Sequence, residues 1–526
     1  MVFRPLPPGF LSLETPVNYT DHYRKRPKDG QTPQSKPIEG REHEMVKNSE
    51  GGYVFPVDDW VRYARFLILG SEGGSYYATE KKLTVENARV ADRCIHTDGQ
   101  TAVEMIVSIS ESGRAAKNDP TLFALAMALT AGLPRDAEAH AETRRLAALA
   151  VPKVARTGAH LFQLAEFAKG LRGWGRLNRK AFVNWYDSKD NRNLAYQVAK
   201  YQSRGGWSHR DVLRLSHYKT ADPVRNQILA WATGKNPVLE NPDTEYLQAH
   251  DACRRAESVN EVVDLVSKYG LTRESIPTEY LNEVRVWEAL LERMPVTALI
   301  RNLGKMSSIG LITAGTAGEA KAVTALLNPE NLRRGRVHPF NLLIALDVYR
   351  QGRGIKGSLA WQPSSRVVDA LDAAFYASFD NVGVQGRRLL IALDISASMA
   401  WPNSCLMGTH LKAREGSMAL AMATAAKNDV QVVAFSSGIT PVDISPRRRL
   451  DDNLLAIRAL PAGGTDCALP TMWAAKRGIK FDGVIIYTDN ETRLGFIHPT
   501  QALQKYRQRV GHPVKQVVVG MVSNGF

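Results

Sequence analysis

From Asp58 to Asp347, apolar residues recur at three- and four-residue spacings, the period of amphipathic helices. The pattern predicts helices over 60–69, 121–131, 142–150, 159–171, 223–233, 261–269, 280–291 and 317–327. Gly, Pro or Asn separates most of them, as expected of helix stops and turns. No long β-alternating stretch interrupts this region. After about residue 360 the pattern changes. A helix over 367–375 is followed by apolar strand candidates at 389–393, 431–435, 484–487 and 515–521, with helices over 414–427 and 469–477 between them.

The first pattern, many short helices without intervening strands, predicts stacked helical pairs of the HEAT or armadillo kind, with repeats too divergent to give one period. The second, strand alternating with helix, predicts a doubly wound and mostly parallel α/β sheet. The fold class is therefore a multidomain chain with an all-α part and an α/β part. We set the domains at 1–362 and 363–526, with the boundary near 361–365. Residues 1–45, rich in Pro and Lys, read as extended or partly ordered.

Composition supports this division. At 526 residues the chain exceeds what one core usually organises. No apolar run is long enough to span a membrane, and the N-terminal residues lack the apolar core of a signal peptide. The expectation is a cytoplasmic protein. Its four cysteines, Cys94, Cys253, Cys405 and Cys467, are far apart and contain no CxxC pair, so buried thiols are expected. The net charge is +15. Residues 363–526 hold 18 Lys/Arg against 13 Asp/Glu, which leaves most of the excess in the N-terminal part. A surplus of this size favours polyanionic partners.

Two clusters carry candidate chemistry. The first is Asp394-Ile-Ser396-Ala-Ser398, at the end of the strand candidate 389–393. Alternation puts one carboxylate and two hydroxyls on one side, the hard oxygen donors that Mg2+ prefers. Thr465, in the Ala-Gly-Gly-Thr-Asp loop of 462–466, and Asp489, ending the strand 484–487, add two more. Ligands of open α/β sheets gather at this carboxyl edge. The second cluster is the stretch 172–219, with eleven Lys/Arg against Asp187, Asp190 and Asp211. Eight aromatics are interleaved, of which at least two thirds are expected to be core. Lys200 and Arg204 share a helix face, Gly205-Gly206 breaks the helix, and Ser208 with Asp211 reads as a helix N-cap. Arg210, Arg214 and His217 then form a cationic stripe. A bend that brings this stripe to that of Lys200 and Arg204 makes a candidate phosphate clamp for RNA, with Arg192 a further candidate from charge.

The oxygen-donor constellation resembles the metal-ion-dependent adhesion site of von Willebrand factor A domains, over about 360–526. That resemblance implies that Ser396, Ser398 and Thr465 are direct ligands. Asp394 and Asp489 would act directly or through water, with one position open to an acidic group of a partner. The string 200–217 (KYQSRGGWSHRDVLRLSH) resembles the signature of the Ro autoantigen family, whose helical part is the TROVE module. So do Lys47-Asn48 with Gly51-Gly52, the run 65–74 with Tyr76-Tyr77, and Gly352–Gly357 before Trp361. The family resemblance implies a ring of HEAT-like repeats closed by the A domain. It implies small noncoding Y RNA on the outer surface, with Lys200, Arg204 and His217 as contacts. It also implies single-stranded 3′ ends of misfolded RNA in the central hole, and a role in noncoding-RNA quality control or stress response.

Other motifs fall away. Gly352–Gly357 fits G-x-G-x-x-G but neither follows a strand nor opens a helix, and 315–321 lacks the phosphate-loop ending. No HExxH, G-x-S-x-G or zinc-spaced cluster is present, so nothing requires catalysis, and the chain is expected not to be an enzyme. The expected partners are RNA and a protein such as an RNA-processing exonuclease. A monomeric protein subunit is expected, with no membrane attachment. The rival readings are a cation-dependent protein scaffold with incidental RNA binding, and a metal-dependent nuclease built on Asp394.

Overall fold

The computed structural model describes residues 30–521, apart from 57, 71–87, 115–117, 134–135, 172, 355–357, 384, 401–404, 407–410 and 490. Residues 71–74 of the 65–74 motif, Tyr76-Tyr77, and 355–357 of the glycine-rich loop lie outside the described residues. So do residues 1–29 of the N-terminal segment.

Helices dominate up to Ala377, and their ends follow the local sequence. Asp58 caps helix Asp59–Leu69 by accepting from the Val61 nitrogen, and Gly70 closes it with φ 86°. Asp222 and Pro223 start Pro223–Ala232, and Ser258 starts Val259–Tyr269. The predicted helix over 280–291 is split: a 3-10 turn Thr278–Asn282 precedes helix Val284–Leu291.

Helices pack mostly on the next but one in sequence, as stacked antiparallel pairs do. Gly99–Glu111 lies on Ala141–Val154, which lies on Arg176–Asp187; Asp119–Leu129 lies on Gly158–Leu171. One apolar cluster runs from Tyr63 to Leu247. A second begins at Ala249 on the same helix, Glu245–Arg254, and continues to Tyr487. Helix Ser365–Ala377 packs on helices Ala317–Leu327 and Pro339–Arg350, and its Leu371 and Phe375 share the second cluster with sheet residues. The core is therefore continuous across the boundary drawn at 362/363.

Two hairpins of two-residue strands lie outside the C-terminal sheet, too short to show as β-alternation in the sequence. One pairs β1 (Val46–Lys47) with β2 (Tyr53–Val54). The other pairs β3 (Ser203–Arg204) with β4 (Trp207–Ser208). The C-terminal sheet contains β5 (Arg388–Asp394), β6 (Asp429–Phe435), β7 (Ile439–Pro441), β8 (Gly483–Thr488) and β9 (Lys515–Gly520), in the order β7-β6-β5-β8-β9. Four strands are parallel, and β7, which the sequence did not announce, is antiparallel at one edge. Alternation in β5 sends Ile391 and Leu393 toward helix Ala413–Ala425. It sends Leu390 and Ala392 toward Trp473 and Tyr506 on the opposite face. Among the described residues, no helix is long and apolar enough to cross a membrane.

The described part of the N-terminal segment, from residue 30, crosses to the C-terminal domain. The Gln34 nitrogen donates to the Gly495 carbonyl at 2.8 Å, and the Lys36 carbonyl lies 2.8 Å from His498 Nε2. The contact path thus runs through the helices to the sheet and returns to its start along this strap. Cys94, Cys253 and Cys467 are buried free thiols as expected, whereas Cys405 is only half-buried.

Candidate nucleic-acid interface and metal site

The metal candidate forms where β5 and β8 end. Register pairs Asp394 with Phe435 of β6, and Asp489 directly follows Thr488 at the end of β8. Asp394 is fully buried. Its Oδ1 accepts from the Ser396 nitrogen at 2.8 Å, and its Oδ2 from the Thr488 hydroxyl at 2.5 Å. The Ser396 and Ser398 hydroxyls lie 3.1 Å apart. The 462–466 loop joins this edge through the Asp466 nitrogen, which donates to the Ser436 carbonyl just past β6 at 3.2 Å. Thr465, Ser396 and Asp489 are all buried there.

Burial, and then the charge of Asp489, pushes the Asp394 carboxyl up to about 7. Two carboxylates buried together carry an electrostatic cost that a cation between them would relieve. Among the described residues, no three His, Cys, Asp or Glu side chains converge on one point. The donor set here is instead carboxylate plus hydroxyl, all hard oxygen. Asp394, Ser396, Ser398, Thr465 and Asp489 fit a hard divalent ion such as Mg2+. The structure brings these predicted residues to one sheet edge.

The predicted RNA residues separate into three places. Helix Asn191–Lys200 starts with exposed Arg192, whose Nε is 3.7 Å from Asp243, and ends with Lys200. Next comes a hairpin, where a simple bend between two helices was expected. Gly205 and Gly206 both have positive φ, 60° and 82°, which is the requirement of a two-residue hairpin turn. The turn holds Arg204 exposed opposite buried Trp207, whose indole nitrogen donates to Glu166 at 2.6 Å. Ser208 and Asp211 form the expected N-cap, completed as a capping box. Arg210, Arg214 and His217 are exposed on or just after helix His209–Ser216, and His217 closes it in the left-handed region at φ 54°.

Lys200 and Arg204 line a cavity of about 920 Å3, together with Thr157, His160 and Tyr201. Arg273, Arg293 and Arg301, contributed from between Val266 and Asn302, line the same cavity. Arg210, Arg214, His217 and Arg192 are not on this wall. The lining holds five Lys/Arg against Asp119 and Glu274. Lys200 Nζ donates to the Tyr196 hydroxyl at 2.8 Å and lies over the Tyr196 and Tyr201 rings. Burial, the largest influence, pulls the Lys200 ammonium down. The Tyr196 hydrogen bond and the neighbouring tyrosines and Glu274 outweigh it and leave the group above its ordinary value. His160 is pushed down to about 4, by burial first and then by Arg156 and Arg204, so it is neutral at pH 7.

The sequence did not point to Arg273, Arg293 or Arg301. They are scattered over a stretch of ordinary charge density and meet Lys200 and Arg204 only at the cavity. It also overstated two features of 172–219. Phe182, Trp185, Tyr186 and Trp207 are buried, but Trp174, Tyr196, Tyr201 and Tyr218 are only half-buried, fewer core aromatics than expected. Lys189, counted in the basic excess, is buried with its ammonium 3.8 Å from the Trp185 ring centroid.

Comparison with known proteins gives a consistent result. A family profile described as TROVE domain matches residues 46–262 and 268–348, and one described as Ro60 vWA domain matches 388–526. The chain is 36% identical to RNA-binding protein RO60 of Deinococcus radiodurans, over 94% of this chain and 92% of that protein. It is 34% identical to RNA-binding protein RO60 of Caenorhabditis elegans, over 91% and 85%. The crystal structure of the Deinococcus radiodurans RO (RSR) protein superposes with a TM-score of 0.73, covering 88% of this chain and 92% of that one.

Proposed function

The chain belongs to the TROVE-domain Ro60 family, and on that premise we propose that it is an RNA-binding ribonucleoprotein component, cytoplasmic and non-enzymatic. It binds a small noncoding RNA of the Y type through the exposed side chains of Arg210, Arg214 and His217 at helix His209–Ser216, with exposed Arg192 as a separate contact. It takes single-stranded ends of misfolded RNA at the cavity wall formed by Lys200 and Arg204, a different assignment from the Y-RNA contacts that the family resemblance implied for these two residues. The observation that carries this reading is the cavity lined by five Lys/Arg. Cations gathered on one cavity neutralise phosphates, and half-buried Tyr201 lines the same cavity. Folded RNA is held by its shape and backbone, while an opening of limited width selects single strands. The von Willebrand A domain holds one divalent cation on Asp394, Ser396, Ser398, Thr465 and Asp489. That ion, when bound, supplies an oxygen-coordinating position for an acidic group of a protein partner such as an RNA-processing exonuclease.

The test compares two RNAs, a stem-loop and a structured RNA with a single-stranded 3′ tail, across a salt series. Lys200→Ala with Arg204→Ala should weaken tail-dependent binding and flatten its salt slope by roughly 1 to 2 units. Arg210→Ala with Arg214→Ala and His217→Ala should weaken stem-loop binding instead. If both sets leave both RNAs and both slopes unchanged, the site assignment is wrong.

A further inference from the structure

The loops that carry Thr465 and Asp489 are tied to each other and to the N-terminal strap. The Arg493 and Leu494 nitrogens donate to the Thr465 carbonyl at 3.2 and 3.3 Å. The Cys467 nitrogen donates to the Thr492 hydroxyl oxygen at 3.2 Å. Gln34 inserts between these segments and is fully buried. Its amide nitrogen donates to Asp466 Oδ1 at 2.7 Å and to the Ile497 carbonyl at 2.9 Å. Its amide oxygen accepts from the Thr492 hydroxyl. Asp466 directly follows Thr465, and Thr492 lies just past Asp489.

The β1–β2 hairpin extends the same contact. Asn48 Nδ2 donates to the Thr492 carbonyl at 2.8 Å, and the Ser49 nitrogen to Glu491 Oε2 at 3.0 Å. At Gly52 a side chain would run into that Thr492 carbonyl, so the hairpin can lie this close only with glycine there.

We propose that residues 32–54 act as a clamp, supplied by the chain itself, on the cation-binding loops, with Gln34 as a positioning residue for the divalent ion. This deepens, and rests on, the reading of the Asp394 cluster as a cation site. A hard cation needs several oxygens at preset positions, and Thr465 and Asp489 sit on separate loops that Gln34, bonded to Asp466 and Thr492, joins in addition to their direct hydrogen bonds. Removing an outer partner that orients metal ligands typically costs roughly 10- to 100-fold in affinity. The coupling is reciprocal: a cation that favours the clamped loops must also favour the docked strap. Cation occupancy and closure of the contact path from helices to sheet and back are thereby one equilibrium.

The experiment uses the full chain with Mn2+ as the probe, bound Mn2+ being read by electron paramagnetic resonance. Strap protection is read by hydrogen exchange with and without Mn2+. In the parent chain, Mn2+ should slow exchange over 46–54 and 491–497, and Asp394→Asn should remove both Mn2+ uptake and the slowing. Gln34→Ala, with an unchanged circular dichroism spectrum, should bind Mn2+ roughly 10- to 100-fold more weakly. Undiminished Mn2+ affinity in that folded variant overturns the clamp. So does strap exchange indifferent to Mn2+ in a parent chain that binds it, a measurement that needs no variant to fold. A parent chain that takes up no Mn2+ overturns the cation reading itself, a separate outcome.

Discussion

His209 shows how residue identity and residue role part company. It lies in the basic 200–217 string, yet it is buried, with Nδ1 2.9 Å from the Tyr186 hydroxyl and its ring against Phe162. Burial, only partly offset by the Gln197 and Tyr201 backbone, pushes its imidazole down to about 3. The unfolded chain, with an ordinary value near 6.5, binds the proton first. The contribution of neutral His209 is therefore fully present above pH 6.5 and is lost progressively as pH falls toward 3. Between pH 6.5 and 5 this amounts to about 2 kcal/mol. His209→Gln should show a shallower fall in urea midpoint than the parent over that range; parallel curves would contradict the assignment. Sequence alone cannot separate His209 from exposed His217, because a histidine carries no mark of burial. Asp394, Ser396 and Ser398 were legible because the oxygen-rich motif directly follows an apolar strand, although β5 ends at Asp394 and a 3-10 turn over Ala397–Ala400, rather than strand alternation, places Ser398. Gln34 was not, since its partners are more than 400 residues away.

At the scale of elements, the helical period placed Ala317–Leu327 and Leu469–Arg477 with their observed ends and several other helices to within a few residues, while helices such as Gly99–Glu111 and Val296–Ser308 were not delimited. Among strands, the misses were the very short ones. In β3–β4 the pattern signals a helix break but not pairing; the Gly205-Gly206 turn is what aims Arg204 at the cavity. Nothing lies within 4 Å of a Cβ added at Gly206. Gly206→Ala should therefore cost only its left-handed backbone, about 1 kcal/mol. It should also weaken tail-dependent RNA binding by displacing Arg204. Equilibrium unfolding and RNA titration of the variant check both, and an unperturbed chain with parental RNA binding would show that the turn does not set the arginine. β7 was missed for a related reason: three residues ending in Pro441 carry too little alternation to register.

The whole molecule is where charge and closure acquire meaning. One apolar cluster runs from Ala249 to Tyr487, so the later helices and the sheet share a core. Leu371→Ala, at a fully buried position of helix Ser365–Ala377, should cost about 3 kcal/mol. It should lower hydrogen-exchange protection in β5 as well as in helix Pro339–Arg350; loss confined to the helices would mean two independent cores. The sequence by itself determined the helical and α/β parts, the oxygen-donor cluster and the basic excess of the N-terminal part. Each of these is written in local periodicity, in the residue type at a strand end, or in composition. Only the tertiary structure decided that Lys200 and Arg204 share a cavity with Arg273, Arg293 and Arg301, while Lys189 is core. It alone showed that residues 32–54, of which those up to 45 were read from composition as extended or partly ordered, form the strap over the Thr465 and Asp489 loops. Those facts depend on which distant surfaces meet, and that is set by packing over the whole chain rather than by any window of it.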